Sequence, residues 1–114
     1  VHLNMGEPMD LTDKAAEAAA LMKALSNEHR LLILCHLVSD QELTVGTLVE
    51  RVGLSQSALS QHLARLRREG LVSFRRDAQT LHYRIADRKA AKVLGLLRDL
   101  FCPELGAGRR TATG

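Results

Sequence analysis

The chain has 114 residues and a mass of 12.6 kDa, which is enough for one domain with a hydrophobic core. Aromatic residues make up only 3% of it and tryptophan is absent, so the core must be built from aliphatic side chains, as in compact helical proteins. The net charge is +3, and no apolar run approaches the roughly 18 residues that span a bilayer, nor does a secretion signal pattern open the chain. We therefore expect a cytoplasmic protein that does not enter a membrane.

The first third of the chain predicts two helices. Residues 1–9 show no periodicity and are expected to be flexible. An alanine-rich helix is predicted from residue 10 or 12 to residue 25, and its small side chains would let another helix approach closely. A second helix, capped by Ser26 or Asn27, runs to about Val38 and is apolar nearly all round, which places it in the middle of the domain.

A helix-turn-helix is predicted in the centre of the chain. Thr44 can cap a short helix that ends at Gly53, and Ser55 can cap a second helix that ends near Gly70. The second helix has one apolar face, because leucines recur at i, i+4 and i+7. These leucines are Leu59, Leu63 and Leu66.

The opposite face of this second helix is polar in its first two turns and basic in its last two. A surface helix usually carries pairs of Glu and Lys, whereas this one has no acidic residue before Glu69. Short polar side chains can hydrogen-bond base edges in the major groove, and arginines suit phosphates. The candidates for base contacts are Gln56, Ser57, Ser60 and Gln61, and those for phosphate contacts are Arg65, Arg67 and Arg68.

A β-hairpin is predicted directly after this helix. Residues 72–76 and 81–85 are short β-prone runs joined by a polar turn at residues 77–80. The order helix, turn, helix, hairpin is that of a winged helix-turn-helix. On the hairpin, or wing, we expect Arg75, Arg76 and Gln79 to reach the DNA backbone or an adjacent minor groove.

The chain is expected to close with one more helix. Asp87 can cap a helix from residue 88 to about residue 102, and Pro103 marks its stop. Residues 104–114 lack an apolar pattern and are expected to be flexible. The predicted domain for DNA binding and dimerisation therefore spans residues 10–103.

Positive charge is concentrated around the helix-turn-helix and the wing. From Arg51 to Arg88 the chain has eight arginines and three acidic residues. Arginine favours planar, two-point recognition of phosphate and guanine. Double-stranded DNA is therefore the expected partner.

Three segments resemble the ArsR family of bacterial transcriptional repressors. They are LSNEHRLLIL at residues 25–34, ELTVGTL at residues 42–48 and LSQSALSQHLARLRREGLV at residues 54–72. The resemblance covers roughly residues 10–103. It implies a mainly α, dimeric winged helix with about five helices and a small β-hairpin wing, in which an inducer makes the homodimer release its operator DNA.

Two metal sites familiar in that family are not matched here. Thr44 and Gly46 stand where metal-sensing members have the two cysteines of an ELCVCDL segment. For the zinc site of the last helix, Asp87 is present, but Lys89 replaces the first histidine and no histidine follows His82. We therefore expect no bound metal at either position and no cofactor.

Two cysteines remain, Cys35 in the second helix and Cys102 at the end of the last. This arrangement is similar to the sulfide-responsive branch of the family, the SqrR and BigR type. The resemblance implies that reactive sulfur species act as inducer by converting the two thiols into a disulfide or polysulfide bridge that weakens DNA binding.

Other interpretations of the cysteines stay open at this point. Taken alone, Cys35 on an apolar helix is more typical of an inert buried thiol than of a sensor, and both cysteines lie near helix C-termini, where the helix dipole disfavours a thiolate. The two thiols could also bind a metal together with a histidine, which would make the chain a metal-sensing repressor. Catalysis is not expected, because no group that would orient a Cys–His pair is recognisable.

Overall fold

The computed structural model describes residues 6–103, with side chains described from Leu11 onward. This part of the chain forms five helices and a small antiparallel sheet, which confirms the predicted winged helix-turn-helix. The elements are α1 (Gly6–Leu25), α2 (Glu28–Asp40), β1 (Leu43–Thr44), α3 (Val45–Val52), α4 (Gln56–Arg68), β2 (Val72–Asp77), β3 (Thr80–Ile85) and α5 (Arg88–Phe101).

The helix α1 begins at Gly6, earlier than the predicted start at residue 10 or 12. Residues 6–9, which were expected to be flexible, are therefore part of this helix. The other residues expected to be flexible, 1–5 and 104–114, lie outside the described part of the chain.

Four of the helices start where a side chain accepts a hydrogen bond from the first helical turn, as the sequence predicts. Each capping oxygen satisfies a backbone N–H that has no partner within the helix. The acceptors are Asn27 for Arg30 at 3.0 Å, Thr44 for Thr47 at 3.2 Å, Ser55 for Ala58 at 3.1 Å and Asp87 for Ala90 at 2.9 Å.

The sheet has three strands in the order β1-β3-β2. The hairpin of β2 and β3 is the predicted wing, and Ala78 in its turn has a φ of 58°. The short strand β1 was not predicted, since residues 39–43 read as a polar connector. It pairs Leu43 with Tyr83 and Thr44 with His82, and two residues are too few to show a strand periodicity.

The core is aliphatic and centred on α2, as expected from composition. Its fully buried side chains come from α2, α3, the leucine face of α4, the start of β2 and α5: Ile33, Leu34, Leu37, Leu48, Leu59, Leu63, Leu66, Val72 and Leu94. The leucine face of α4 thus packs against the centre of the domain. Within the described part of the chain, no helix combines the length and apolarity needed to cross a bilayer.

The helices α1 and α5 each expose large apolar side chains. The exposed fraction is 72% for Leu11 and 49% for Met22 on α1, and 58% for Leu96, 64% for Leu100 and 77% for Phe101 on α5. Exposed apolar side chains grouped on neighbouring elements mark surfaces that other proteins cover. These two helices are therefore the natural place for an interface.

Candidate nucleic-acid interface and thiol pair

The turn between α3 and α4 fixes the direction of the recognition helix. Gly53 ends α3 with a φ of 74°, a left-handed conformation that glycine adopts without steric cost, and its N–H donates to the carbonyl of Val49 at 3.2 Å. Ser55 then caps α4, only two residues later. The leucine face of α4 packs into the core, so the opposite face must point outward.

Every α4 residue predicted to contact DNA is exposed. The four residues predicted to read base edges are uncharged and exposed, and the first turn of α4 has no acidic residue: they are Gln56, Ser57, Ser60 and Gln61. A helix of this kind can approach the major groove with hydrogen-bonding side chains foremost. The geometry is compatible with base contacts by all four.

The basic end of α4 is organised by contacts within the chain. The Nε atom of Arg65 donates to Glu69 at 3.2 Å, and the guanidinium of Arg67 lies 5.0 Å from the ring centre of Phe74 on β2. Arg68 is exposed and makes no ion pair with any described residue. Arg67 therefore connects the recognition helix to the wing, whereas Arg68 is available to a phosphate.

The two arginines of β2 in the wing also differ in their contacts. The guanidinium of Arg75 makes two hydrogen bonds of 3.0 Å to the carboxylate of Glu42, just before β1. This pair holds the pKa of Glu42 below its usual value. Arg76 is exposed without an ion-pair partner in residues 6–103, and Gln79 is exposed in the turn. Arg75 thus links the wing to the segment just before β1 and α3, whereas Arg76 and Gln79 are free to reach DNA.

The two cysteines are free thiols, one on α2 and one at the end of α5, and these two helices pack against each other. Cys35 is half-buried on α2, and Cys102 is exposed at the end of α5, where its N–H donates to the carbonyl of Arg98 at 2.7 Å. Burial raises the pKa of the Cys35 thiol, the negative charge of Cys102 raises it further, and Arg98 opposes both. The two sulfur atoms therefore lie within electrostatic range of each other, although 67 residues separate them in sequence.

Arg98 also bridges the two helices that carry the thiols. Its Nη1 atom lies 3.5 Å from the hydroxyl of Ser39, which is buried on α2. The described residues contain no group of three or more His, Cys, Asp and Glu side chains that could hold a metal ion. In particular, no histidine joins Cys35 and Cys102 to complete such a group.

The sequence and structure of this domain match known regulators. Residues 27–73 match the family described as bacterial regulatory protein, arsR family. The chain is 50% identical over 100 residues to the transcriptional activator HlyU of Vibrio cholerae, an alignment that covers 85% of this chain and 92% of HlyU. The chain belongs to the ArsR family.

Other ArsR-family proteins agree with this assignment. The biofilm growth-associated repressor of Xylella fastidiosa is 39% identical over 95 residues, covering 83% of this chain and 82% of the repressor. The structure of reduced HlyU from V. cholerae has a TM-score of 0.77 at 49% identity and covers 82% of this chain and 97% of HlyU. The structure of the repressor BigR from X. fastidiosa has a TM-score of 0.75 at 39% identity, covering 83% and 96%.

ArsR-family proteins are DNA-binding transcription regulators rather than enzymes, and this chain is one of them. The predictions of fold class and family are therefore confirmed. The comparisons do not test which residues contact DNA or sense an inducer, so those assignments stay predictions.

Sequence reasoning missed the contacts that orient this ArsR-family interface. Glu42 and Arg75 are 33 residues apart, and neither Phe74 nor Arg67 lies in a pattern that indicates stacking. The only signal for the first pair is the opposite charge of Glu42 and Arg75, because β3 lies between β1 and β2 in the sheet. The sequence alone does not show that β1 exists, so it does not bring these two side chains together.

The raised pKa of Cys35 predicts how its reactivity depends on pH. The thiolate is the nucleophile that attacks an alkylating reagent, so the rate of alkylation at Cys35 should keep rising with pH beyond the ordinary pKa range of a cysteine. Replacing Cys102 by Ser removes one of the charges that raise this pKa, and the inflection should move to lower pH. Mass spectrometry of iodoacetamide-treated protein across a pH series measures both; an unmoved inflection would contradict the proximity of the two thiols.

Proposed function

We propose that this ArsR-family regulator is a repressor that binds operator DNA as a homodimer and releases it when persulfide or polysulfide chemistry bridges Cys35 and Cys102. The observation that supports this proposal most strongly is the mutual placement of the thiols, one half-buried on the core helix α2 and one exposed at the end of α5. A bridge between them would link the core of the DNA-binding domain to a helix with a large exposed apolar face.

The homodimer is expected to form through α1 and α5. Their exposed apolar side chains would be covered by the same helices of a second copy, which makes a two-fold interface self-complementary. In such a dimer the two α4 helices enter successive major grooves about 34 Å apart. Gln56, Ser57, Ser60 and Gln61 would read bases, and the exposed arginines of α4 and the wing would fix the register on phosphates.

The sulfur chemistry can begin at the exposed thiol. The thiolate of Cys102 attacks the outer sulfur of a small persulfide RSSH, so that Cys102 becomes a persulfide and RS⁻ leaves. The thiolate of Cys35 then attacks the inner sulfur of that persulfide, which forms a disulfide and releases HS⁻. If Cys35 has also been converted to a persulfide, the terminal sulfur of Cys102 attacks its inner sulfur, which gives a trisulfide and HS⁻.

The bridge would act on DNA binding through helix geometry. Both α3 and α5 pack against α2, and α3 in turn packs against α4. A covalent link between α2 and α5 would change the orientation of the core relative to the dimer-forming helices α1 and α5. It would therefore change the separation of the two α4 helices. Because both must fit grooves one turn apart, a small change in separation is sufficient to release the operator.

Substitution of either cysteine by serine tests the sensing role. In the reduced state, Cys35→Ser and Cys102→Ser should each bind the operator as tightly as the wild type, because neither thiol faces the DNA-binding surface. After exposure to an organic persulfide, both variants should keep their DNA while the wild type loses at least tenfold in affinity. A Cys102→Ser protein that still releases DNA on persulfide treatment would overturn the proposal.

The DNA-binding roles are tested by a pair of alanine variants. Gln61→Ala should lower affinity for the operator more than for random DNA, because a base contact specifies sequence. Arg76→Ala should weaken binding to both and flatten the salt dependence by about one unit of slope. Binding titrations at several salt concentrations separate these effects, and an equal loss on both DNAs for Gln61→Ala would contradict its role.

A further inference from the structure

Arg98 is a largely buried cation at the contact between α2 and α5. Its side chain is 19% exposed, and its Nη1 atom lies 3.5 Å from the hydroxyl of Ser39, which is buried on α2. Charged side chains are almost never buried without partners, because removing a charge from water is costly. The position of this guanidinium between two packed helices therefore indicates a use for its charge there.

Most of the hydrogen-bonding capacity of Arg98 is unused within the described part of the chain. A guanidinium has five N–H donors. The side chain of Arg98 donates from Nη1 to Ser39 at 3.5 Å and from Nε to the carboxylate of Asp99 at 3.4 Å. Both distances exceed the most common length of about 2.9 to 3.0 Å for such bonds. The guanidinium is therefore able to stabilise a further negative charge that forms nearby.

The contact between Arg98 and Ser39 lies one helical turn from each cysteine. Ser39 follows Cys35 by four residues on α2, and Cys102 follows Arg98 by four residues at the end of α5. Side chains four residues apart lie on the same face of a helix. The guanidinium and the two thiols therefore share one stretch of the contact between α2 and α5, which agrees with the lowering effect of Arg98 on the pKa of Cys35.

The proposed homodimer leaves this guanidinium inside its own chain. Leu96 and Leu100, two of the exposed apolar residues of α5, are each two residues from Arg98. Two residues turn a helix by about 200°, so these leucines lie on nearly the opposite side of α5. A partner that covers Leu96 and Leu100 therefore does not cover Arg98.

We propose that Arg98 activates Cys35 for the bridge-forming step by stabilising its thiolate. This inference rests on the proposed function and adds the residue that its second step needs. In that step the sulfur of Cys35 forms a bond to the inner sulfur of the persulfide on Cys102, the S–S bond of that persulfide breaks, and its electron pair leaves with HS⁻. Arg98 acts through the attacking sulfur of Cys35 and not on the sulfur donor itself.

The first test is the pH dependence of alkylation at Cys35, measured by intact mass in the full chain with Cys102→Ser as background, where Cys35 is the only thiol. In this background Arg98→Gln should move the inflection to higher pH, because the cation lowers the pKa of Cys35. Arg98→Lys keeps the charge and should hold the inflection near its original position. The matched control is Arg88→Gln, which removes an exposed arginine from the first turn of α5 and should leave the inflection unmoved.

The second test is the rate at which an organic persulfide joins Cys35 to Cys102 near neutral pH, followed by intact mass in proteins that keep both cysteines. Arg98→Gln should form the bridge about threefold or more slowly than the wild type, because less of Cys35 is thiolate, and the persulfide on Cys102 should accumulate. Arg98→Lys should form it at close to the wild-type rate. Helical circular dichroism shows whether each variant is folded.

The outcomes separate this inference from the proposed function. An inflection that Arg98→Gln leaves unmoved, or wild-type bridging in that variant, would overturn the role of Arg98 alone. Equal effects of Arg98→Lys and Arg98→Gln in folded proteins would also overturn it, because the charge would then not matter. A wild-type protein that forms no bridge would overturn the proposed function and this inference together.

Discussion

Replacing Leu63 by alanine is expected to lower the free energy of unfolding by about 2 to 5 kcal/mol. Leu63 is 1% exposed and lies at the middle of the buried face of α4. Removing its side chain costs the transfer free energy of the lost methyl groups and leaves a cavity that the packed core fills only partly. Since domains of this size have a total stability of about 5 to 15 kcal/mol, the loss is a large fraction of the whole.

Urea denaturation followed by circular dichroism measures this effect, at equal protein concentration because dimerisation also stabilises the fold. The matched control is Ser60→Ala, on the outward face of the same helix, which should change the stability by no more than about 0.5 kcal/mol. Equal midpoints for the Leu63→Ala and Ser60→Ala proteins would contradict the packing of α4 described above.

Replacing Leu100 by glutamate is expected to convert the protein from dimer to monomer and to reduce operator affinity by about 100-fold or more. Leu100 is 64% exposed in the single chain, and the next residue, Phe101 at the end of α5, is 77% exposed. A carboxylate buried in an apolar interface has a high desolvation cost. A monomer has one recognition helix, so it loses the gain of about 10²- to 10⁴-fold that linked binding sites provide.

Sedimentation velocity and operator titration together measure this prediction. Leu100→Met is the control, because it keeps an apolar side chain at the same position and should remain dimeric with unchanged affinity. Because Leu100 is exposed in the single chain, the glutamate variant should keep its helical circular dichroism. A Leu100→Glu protein that stays dimeric would show that this part of α5 is outside the dimer interface.

The local features of this fold could be predicted from the sequence because each depends on residues close together in the chain. The caps at Asn27, Thr44, Ser55 and Asp87 satisfy donors three residues away, and the leucine period of α4 reports its own buried face. The strand β1 could not be predicted, because two residues become a strand only when β3 lies beside them. The early start of α1 was also missed, since residues 6–9 show no apolar periodicity.

The arrangement of side chains in the candidate site depends on packing between distant segments. Nothing in the sequence distinguishes Arg75, which is held by Glu42, from Arg76, which is exposed beside it. The proximity of Cys35 and Cys102 likewise follows from the packing of α5 on α2. Both thiols are visible in the sequence, and the resemblance to a known family suggested that they act together. Only the fold shows that Cys102 influences the pKa of Cys35.

This pairing gives the two thiols different parts in the proposed switch. Cys102 is exposed and meets a sulfur donor first, whereas Cys35 is half-buried, and burial raises the pKa of its thiol and so lowers its thiolate fraction. A protonated thiol is a poor nucleophile, so Cys35 reacts best with a sulfur already held beside it. The protein would thus respond to a persulfide delivered at the surface through a second step inside the fold.

Intact-mass spectrometry of the wild-type protein after persulfide treatment, with operator titration of the same sample, tests the sensing mechanism most directly. Parallel samples treated with hydrogen peroxide and with zinc distinguish the other inducers. We expect a product with Cys35 joined to Cys102 directly or through added sulfur, and a loss of DNA affinity in proportion to that product. Unmodified thiols after persulfide, with zinc bound stoichiometrically and DNA released, would contradict it.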